Sequence, residues 1–561
     1  MRGAMRTAWV IGSGICALAA RGQVTLTAVI APGQAATGSA TGTFNGPQTP
    51  SCQAYGKAAL MAFLTNTPNP GFDNTGVWQA SSGGATLVAL QNTAVSGAGG
   101  RKWASVSSPI QNRAGGSIFA GGMEAPFNTD RAIFYSAAGG VAQIAAQEGM
   151  AATGIAGATF GDIGVGGISE YALNDSGRIA FLAPLTGGSN PRAIFEGDAA
   201  TQTFAPVAVQ GTASPLAGSP TMTFITSPGI NGRGDVAFFT NLNAAPFFAL
   251  LWKPSGGALQ AAVQVGEAAT GFPAGHVISS LVGANSGPPM FNDHGRFVVS
   301  GGVSLGGSPV SVGVWRGAPG ALELVARGNM QAPGAQAGAQ FTSFIPMINR
   351  NGDVCFYANL SAGAQNAGVW IARAGQGPAL LTLLNAQAPG MPAGTLLQSV
   401  SNGGVSFNNR GEALLNASMN YVVNSTPANG LFAGRVGRLR KVVASGDSLE
   451  VSAGVFRTVI SVFCWSWNSP DTGRETSIND RGEVAFSCSF VGGGGGTFLA
   501  RLPHPCPGDA NGDDVVNFLD LNMILSQFGM AGVGLAGDLN GDGVVDFLDL
   551  NVMLSFFGGA C

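Results

Sequence analysis

A short pattern recurs about every sixty residues through most of this 561-residue chain. Its clearest copy is SINDRGEVAF at positions 477–486. Earlier copies begin at Asn174, Asn231, Asn292, Asn349 and Asn408, and degenerate ones lie around Gly56 and Gly116. A fixed period of this length is typical of a repeat array, in which one supersecondary unit is stacked many times. The sequence therefore predicts eight units between residues 24 and 502.

One well-formed unit shows what each repeat contains. Apolar runs at 341–346, 354–358, 368–370 and 380–384 have the length of β-strands, which gives four strands to a unit. Asn349 and Gly352 stand between the first two runs. This spacing suits a tight turn, because an asparagine side chain bonds nearby backbone and glycine accepts a positive φ. We interpret the repeated asparagines as turn residues rather than as eight copies of an active site.

The two ends of the array complement each other. The last unit supplies three strands and then leaves the repeat, whereas residues 24–30, followed by Ala31-Pro-Gly33, match the fourth strand of an internal unit. An N-terminal strand that completes the last unit closes a ring. The predicted fold is therefore all-β, an eight-bladed β-propeller of four-stranded repeats with N-terminal strand closure, in which radial repetition protects the sheet edges.

Composition limits the classes of partner. Only 10% of residues are charged and the formal net charge is −3. The chain therefore lacks the basic surface that nucleic acids or anionic membranes attract, and neither is an expected partner.

The N-terminus reads as an export signal. Arg2 and Arg6 precede an apolar run at 8–20 that ends in small residues, which predicts a secretory signal peptide over residues 1–22. A membrane anchor is the alternative, but the run is short for a bilayer. No other stretch is apolar and long enough to span one, so we expect a secreted, extracellular protein with no membrane span in the mature chain.

Export makes disulfides possible. We expect Cys464 to pair with Cys488 across the long insertion of the last repeat, and Cys506 with Cys561 around the C-terminal segment. Cys52 and Cys355 are expected to stay reduced, since Cys355 lies in an apolar strand where a thiol behaves as a small hydrophobe.

The C-terminal segment contains two twelve-residue loops of calcium-binding type. Position 12 of each loop is followed by apolar residues at helical spacing. Oxygen ligands at positions 1, 3, 5, 9 and 12, with a backbone carbonyl at 7, suit a hard cation, so the sequence predicts two calcium ions. The predicted ligands are Asp509, Asn511, Asp513, Val515, Asn517 and Asp520 in the first loop, and Asp538, Asn540, Asp542, Val544, Asp546 and Asp549 in the second.

Two resemblances follow from these motifs. The pattern N-x-x-G-x-x-A-F, complete at 174–181, 231–238 and 479–486, resembles the NxxGxxAF tandem-repeat family of exported bacterial proteins, whose function is undefined. The paired loop and helix resemble a small α-helical type I dockerin, which implies a cohesin-like partner. The pairs Phe518-Leu519 and Phe547-Leu548 depart from the hydroxyl pairs that commonly contact cohesin. Cys506 and Cys561 instead resemble the cysteine-terminated anchor variant, which implies cell-surface attachment.

These readings give a domain plan and a function. Residues 1–22 form the signal peptide, 23–502 the repeat propeller, 503–505 a linker and 506–561 the dockerin-like domain. Only three histidines occur, at 276, 294 and 504, so no triad or histidine metal centre can be assembled.

We expect a noncatalytic propeller for ligand binding, with a polysaccharide as one candidate ligand, or for surface architecture. The alternative is a polysaccharide-active glycosidase or lyase, which requires carboxylates from different blades about 5 to 10 Å apart at the ring centre. Four tryptophans, Trp78, Trp252, Trp315 and Trp370, recur at one strand position of their units, and we assign them to the blade core rather than to sugar stacking.

Overall fold

The computed structural model describes residues 24–68, 74–124, 130–164, 170–282, 288–465, 469–503, 507–510, 515–531, 535–540 and 544–558. The signal-peptide prediction and the Cys506–Cys561 pairing lie outside these residues. Within them the chain forms eight antiparallel sheets followed by two short helices.

The first strand of the chain, β1 (Thr25–Ile30), precedes blade 1. Blade 1 contains β2 (Thr43–Pro47), β3 (Lys57–Thr65), β4 (Thr75–Ser81) and β5 (Gly84–Leu90). Blade 2 contains β6 (Trp103–Val106), β7 (Ile110–Gln111), β8 (Ser117–Met123), β9 (Arg131–Ser136) and β10 (Gln143–Gln147). Blade 3 contains β11 (Thr159–Phe160), β12 (Tyr171–Leu173), β13 (Arg178–Thr186), β14 (Arg192–Asp198) and β15 (Thr203–Val209). Blade 4 contains β16 (Met222–Ile225), β17 (Gly229–Ile230), β18 (Val236–Leu242), β19 (Phe248–Lys253) and β20 (Gln260–Gln264).

Blade 5 contains β21 (His276–Ile278), β22 (Met290–Phe291), β23 (Phe297–Leu305), β24 (Ser308–Ala318) and β25 (Ala321–Arg327). Blade 6 contains β26 (Phe341–Ile348), β27 (Val354–Leu360), β28 (Ala367–Ala372) and β29 (Pro378–Leu383). Blade 7 contains β30 (Leu397–Phe407), β31 (Ala413–Val423), β32 (Thr426–Gly434) and β33 (Arg440–Ala444). Blade 8 contains β34 (Ser448–Ser452), β35 (Val455–Phe463), β36 (Glu483–Phe490) and β37 (Gly495–Arg501). In blades 2 to 5 the first strand is split into two pieces that pair with the same neighbour.

The ring closes as the sequence predicts. β1 pairs antiparallel with β37, with Thr25 opposite Arg501 and Ala28 opposite Phe498. Val29 and Ile30 are buried against residues of blade 1. The N-terminal strand is thus the outer strand of blade 8, and the eight-bladed, all-β prediction is confirmed.

Tryptophans mark the third strand of several blades. Trp78, Trp315 and Trp370 are fully buried, and each indole N–H donates to a carbonyl of the loop that leads into its own blade, at 2.9 to 3.1 Å. The assignment of these three to the core is confirmed.

Trp252 is only half-buried, and its assignment to the same strand position is wrong. A β-bulge begins at Trp78, Trp315 and Trp370, but in blade 4 it begins at Leu251. Trp252 is therefore one residue further along and points to the other face of the sheet.

The expected disulfide between Cys464 and Cys488 is also wrong, because both thiols are free. Val462 is the residue opposite Cys488, so Cys464 lies two positions beyond it. Diagonal neighbours on paired strands are roughly 7 to 8 Å apart, too far for a disulfide. Cys52 and Cys355 are free and buried as expected. Burial raises the pKa of all four thiols, which keeps them protonated.

The helices α1 (Phe518–Gln527) and α2 (Phe547–Ser555) begin at the tenth position of the two predicted calcium loops, so each contains the twelfth ligand position. Each begins with a capping box, formed by Asn517 with Asp520 and by Asp546 with Asp549. Val516, Ile524, Val545 and Met553 are fully buried between them. Among the described residues, no helix combines the length and apolarity needed to cross a bilayer.

Candidate functional site: the turn face and axis of the propeller

The repeated turns lie on one face of the ring, which we call the turn face. In blade 6 the Oδ1 atom of Asn349 accepts a hydrogen bond from the backbone N–H of Asp353 at 2.9 Å, and Gly352 has a φ of +85°. The asparagine therefore closes the hairpin, and the interpretation of these residues as turn formers is confirmed.

The other side of the same amide links neighbouring blades. The Nδ2 atom of each turn asparagine donates to the backbone carbonyl of the asparagine in the next turn. The donors, with their N to O distances, are Asn112 (2.8 Å), Asn174 (3.1 Å), Asn231 (3.0 Å), Asn292 (2.8 Å), Asn349 (3.4 Å) and Asn408 (2.9 Å). These bonds make a ladder around the axis that single-turn geometry does not predict.

The ladder corrects the reading of the second unit. Its turn runs from Asn112 to Gly115, which has a φ of +85°, so Gly115 and not Gly116 is the turn glycine. Gln53 takes the asparagine position in the first unit, but its side-chain amide donates to the carbonyl of Arg474 at 2.8 Å. Asn479 makes a longer contact of 3.5 Å to the carbonyl of Ala54.

In several blades the residue after the turn asparagine is charged, and charges of both signs meet at the axis. Arg113 contacts the carboxylates of Asp175 at 2.7 Å, Asp471 at 2.7 Å and Asp480 at 3.0 Å. These acids come from blade 3 and blade 8, so the guanidinium holds together parts of the ring that are distant in sequence.

Arg350 completes this cluster from the opposite side. It contacts Asp293 at 2.8 Å and Asp471 at 3.1 Å, and the amide of Asn409 donates to Asp471 at 3.1 Å. The Asp471 side chain is fully buried. Carboxylates from different blades thus converge, as the enzyme alternative requires, but arginines stand between them.

Asp471 belongs to the insertion of blade 8, whose residues 469–478 we call the plug. The plug fills the centre of the ring. Its backbone carbonyls accept from Cys52 N–H in blade 1 (2.7 Å), Leu173 N–H in blade 3 (2.8 Å) and Ile230 N–H in blade 4 (3.1 Å). Ser469 accepts from Ile348 N–H in blade 6 at 3.0 Å, and the buried Arg474 donates to the Pro228 carbonyl. The axis is therefore a packed polar core over these residues rather than an open funnel.

The buried cluster shifts the pKa values of Asp293 and Asp471 in opposite directions. Burial and the nearby Asp471 raise the pKa of Asp293 to about 6, against the pull of Arg350 and Arg113. The pKa of Asp471 lies below its ordinary value, because Arg113 and Arg350 outweigh its burial. The pKa of Asp293 therefore lies closer to neutral pH than that of an ordinary aspartate.

Two cavities open on the turn face beside this cluster. The first, of about 310 Å³, lies between the propeller and the C-terminal domain; the second, of about 400 Å³, lies between blades 6 and 7. Arginines dominate the propeller side of both. Those of the first cavity are Arg113, Arg350, Arg410, Arg435, Arg481 and Arg501, with Asp480 as the one acid there; the second contains Arg373, Arg410, Arg435 and Arg438 with Asp353.

The predicted calcium ligands are placed in part. Asp509, Asp520, Asp538 and Asp549 are buried. The Asp520 carboxylate accepts from Ala510 N–H (2.8 Å) and Asn517 N–H (2.9 Å), and the Asp549 carboxylate accepts from Asn540 N–H and Asp546 N–H, both at 2.9 Å. Val515, Asn517, Asn540, Val544 and Asp546 lie in the described parts of the loops, whereas Asn511, Asp513 and Asp542 lie outside them.

This donor set fits calcium. Buried carboxylates are costly unless they are paired or coordinate a metal, and residues 506–561 contain eight aspartates and no lysine or arginine. In both loops the position 12 carboxylate accepts from the backbone N–H of position 9 and from one near the start of the loop, position 2 in the first loop and position 3 in the second, which would aim the carboxylates inward. Within the described residues no group of three or more acidic, histidine or cysteine side chains could by itself hold a metal.

The fold and turn pattern define an eight-bladed repeat propeller, and sequence comparison gives its family. Residues 10–203, 188–377 and 289–507 match a family of unknown function, DUF7453, and the chain belongs to that family. No curated protein matches it in sequence.

Several solved propellers are similar in outline. The GH74 xyloglucanase from Xanthomonas campestris is 12% identical with a TM-score of 0.34, over 75% of this chain and 55% of that one, so this chain spans about half its length. The Dos1 propeller is 11% identical with a TM-score of 0.37, over 85% and 95% of the two chains. The β-propeller domain of the Trilobed protease from Pyrococcus furiosus is 9% identical with a TM-score of 0.37, over 72% and 100%.

Proposed function

We propose that this protein is a secreted, noncatalytic propeller that binds a ligand at its turn face and is held at the cell surface by its C-terminal calcium-binding, dockerin-like domain. The observation that carries the proposal is the plugged axis. A glycosidase needs two accessible carboxylates with room for a sugar between them. Here Asp471 is fully buried, and Arg113 and Arg350 bridge the acids around it.

The two cavities on the turn face support an acidic glycan as the ligand. Arginine presents a planar fork of donors that matches carboxylate and sulfate groups. The walls contain six arginines and one acid on the propeller side of the first cavity, and four arginines and one acid in the second. Arg113, Arg350 and Arg410 also contact carboxylates behind these walls, so the remaining excess of arginine favours a ligand with negative charge.

The exposed ends of the two helices support an anchoring role for the C-terminal domain. Phe518 and Phe547 are 68% and 69% exposed at equivalent positions, and a leucine follows each. Exposed apolar pairs of this kind mark protein contact surfaces. The expected partner is a cohesin-like or other surface protein with an apolar face.

A glycan array of neutral and acidic polysaccharides, with analysis of released products, tests the binding role. We expect binding to uronate or sulfate glycans without product release. Arg438→Ala removes an exposed arginine of the second cavity and should weaken binding about tenfold. Arg233→Ala, an exposed turn arginine outside both cavities, is the matched control. Equal binding to neutral glycans, or no effect of Arg438→Ala, would contradict the proposal.

Calorimetric calcium titration of the full chain tests the anchor. We expect two sites, with Asp538→Ala costing more affinity than Asp509→Ala. The second loop has four aspartates and Gly543 at its sixth position, whereas the first substitutes Asn517 and Asp514 at the equivalent positions. A larger loss from Asp509→Ala would reverse this ranking.

A second candidate is polysaccharide cleavage, which the opposed pKa shifts of Asp293 and Asp471 favour. Neighbouring acids whose pKa values are pushed apart commonly divide the acid and base roles. Product formation that disappears in Asp293→Asn while glycan binding remains would establish this candidate in place of the first.

A further inference from the structure

The first cavity has two walls of opposite character. The propeller wall contains its six arginines and Tyr55. The facing wall belongs to the C-terminal domain and contains Asp509 and Asp538, together with apolar residues such as Met523 and Leu535. The domain therefore covers the cavity that we assign to ligand binding.

An ion pair joins the walls at the predicted calcium site. The guanidinium of Arg481 contacts the carboxylate of Asp538, whose side chain is fully buried. Arg481 occupies the third position of the blade 8 turn and lies 4.1 Å from the ring centre of Tyr55, which fixes its direction. Asp538 is the first ligand position of the second loop.

The net charges of the two parts and the short linker between them also favour contact of the C-terminal domain with the turn face. The C-terminal segment 506–561 has a formal charge of −8, and the rest of the chain has +5. Residues 503–505 are the predicted linker, and Leu502 and Pro503 lie beside Arg435 and Arg438 on the turn face. A tether this short keeps the domain at a high effective concentration near that face.

We infer that calcium and the propeller compete for the C-terminal domain, so that calcium opens the arginine-lined cavity. This inference rests on the proposed function, because it requires calcium to bind the second loop. A divalent cation held by Asp538 would share that carboxylate with the Arg481 guanidinium, and two positive charges so close would repel each other. Two calcium ions also halve the negative charge that holds the domain on the turn face. By linkage, whatever weakens docking must strengthen calcium binding to the same extent.

Calcium titration of the full-length protein tests this coupling. Arg481→Ala should tighten calcium affinity at the second loop by about fivefold or more, a typical coupling. Arg233→Ala changes the same turn position in blade 4, away from the domain, and should leave affinity unchanged. Arg481→Lys keeps the charge and should bind calcium nearly as wild type does, which controls for damage to the turn. Unchanged or weaker affinity in Arg481→Ala would overturn the inference.

Small-angle scattering of the wild type gives a second readout. The radius of gyration should rise when calcium replaces chelator, and Arg481→Ala should already be expanded in chelator. A radius that does not respond to calcium would overturn the coupling even if calcium binds. Absence of calcium binding by the wild type would overturn the proposed anchor as well, so the two failures are distinguishable.

Discussion

Blade 6 and blade 8 are two copies of one repeat, but only blade 8 contributes to closing the ring. In blade 6 five residues join β26 to β27, and all four strands come from consecutive sequence. In blade 8 the segment between β35 and β36 includes the plug, and the outer strand is β1 from the other end of the chain. The last repeat thus closes the ring in two places. At the perimeter β37 pairs with β1, and at the axis the plug fills the centre.

The difference shows how a repeat array becomes one cooperative body. Units such as blade 6 contact mainly their neighbours, so their stability is a sum of local terms. The plug contacts blades on all sides of the ring through Asp471 and its backbone carbonyls. Loss of one contact of the plug should therefore lower the stability of several blades at once.

The largest effect is expected from removing the perimeter closure. Deletion of residues 24–30 leaves β37 as an open edge and exposes the surface that Val29 and Ile30 cover. We expect a loss of about 5 kcal/mol in the free energy of unfolding, from buried area and lost ladder bonds, and aggregation through the free edge. Thermal denaturation and size-exclusion chromatography measure both. A monomer with an unchanged melting temperature would show that blade 8 does not depend on β1.

Breaking the axis closure should cost nearly as much. Asp471→Ala leaves Arg113 and Arg350 short of a buried counter-ion, and removing one partner of such a cluster costs about 3 to 5 kcal/mol. Denaturant unfolding measures this. Asp162→Ala, which removes an exposed partner of Arg131, should cost no more than about 1 kcal/mol. Similar losses for the two variants would mean that the buried ion pairs of the plug stabilise the ring no more than an exposed ion pair does.

Asn349→Ala tests the ordinary blade. It removes both the turn bond and the ladder bond to blade 7, and we expect a loss of about 1 to 3 kcal/mol. Asn351→Ala lies in the same turn, and its side chain makes a single exposed bond, so it should cost less than about 1 kcal/mol. Chemical denaturation of the pair decides whether the ladder stabilises the ring.

The pH dependence gives the smallest effect. The pKa of Asp293 is raised from 3.8 to about 6, so its protonated form is favoured in the folded state. Its contribution to stability is therefore complete below pH 4 and is lost as the pH rises through 6. Asp471 has a lowered pKa and acts in the opposite sense only below its ordinary value of 3.8.

Asp293→Asn should remove this slope and raise stability at pH 7 by about 1 to 2 kcal/mol. Melting temperatures of wild type and variant between pH 4 and 7 give the comparison. Parallel curves for the two proteins would contradict the assignment to Asp293.

Much of the ring could be predicted because it depends on local pattern. The Asn349 turn, the strand order of blade 6 and the pairing of β1 all follow from period, turn chemistry and the missing fourth strand. The plug could not be predicted, because polar residues such as Asp471 carry no periodicity and find their partners far away in sequence. Trp252 was misplaced by a one-residue shift relative to the β-bulge, which no composition rule reveals.

The site was only partly foreseeable for the same reason. The calcium ligands repeat at fixed spacing within one loop, so a single sequence can indicate them. The arginine-lined cavities combine side chains from separate blades, which a single sequence does not bring together. One feature of the repeats does indicate the charged cluster at the axis. The second turn position is occupied by charges of both signs, Arg113, Asp175, Asp293, Arg350 and Asp480, a pattern that indicates a shared cluster.

The pairing of β1 with β37 also sets an order in time. A chain made from its N-terminus completes the first strand early, yet the partner strand and the plug are synthesised only with the last repeat. Until then the earlier blades have an uncovered edge at each end and an empty centre, and contacts between distant parts of a chain form slowly. Final closure is therefore a late event, and a chain cut short before blade 8 would lose the perimeter and the axis together.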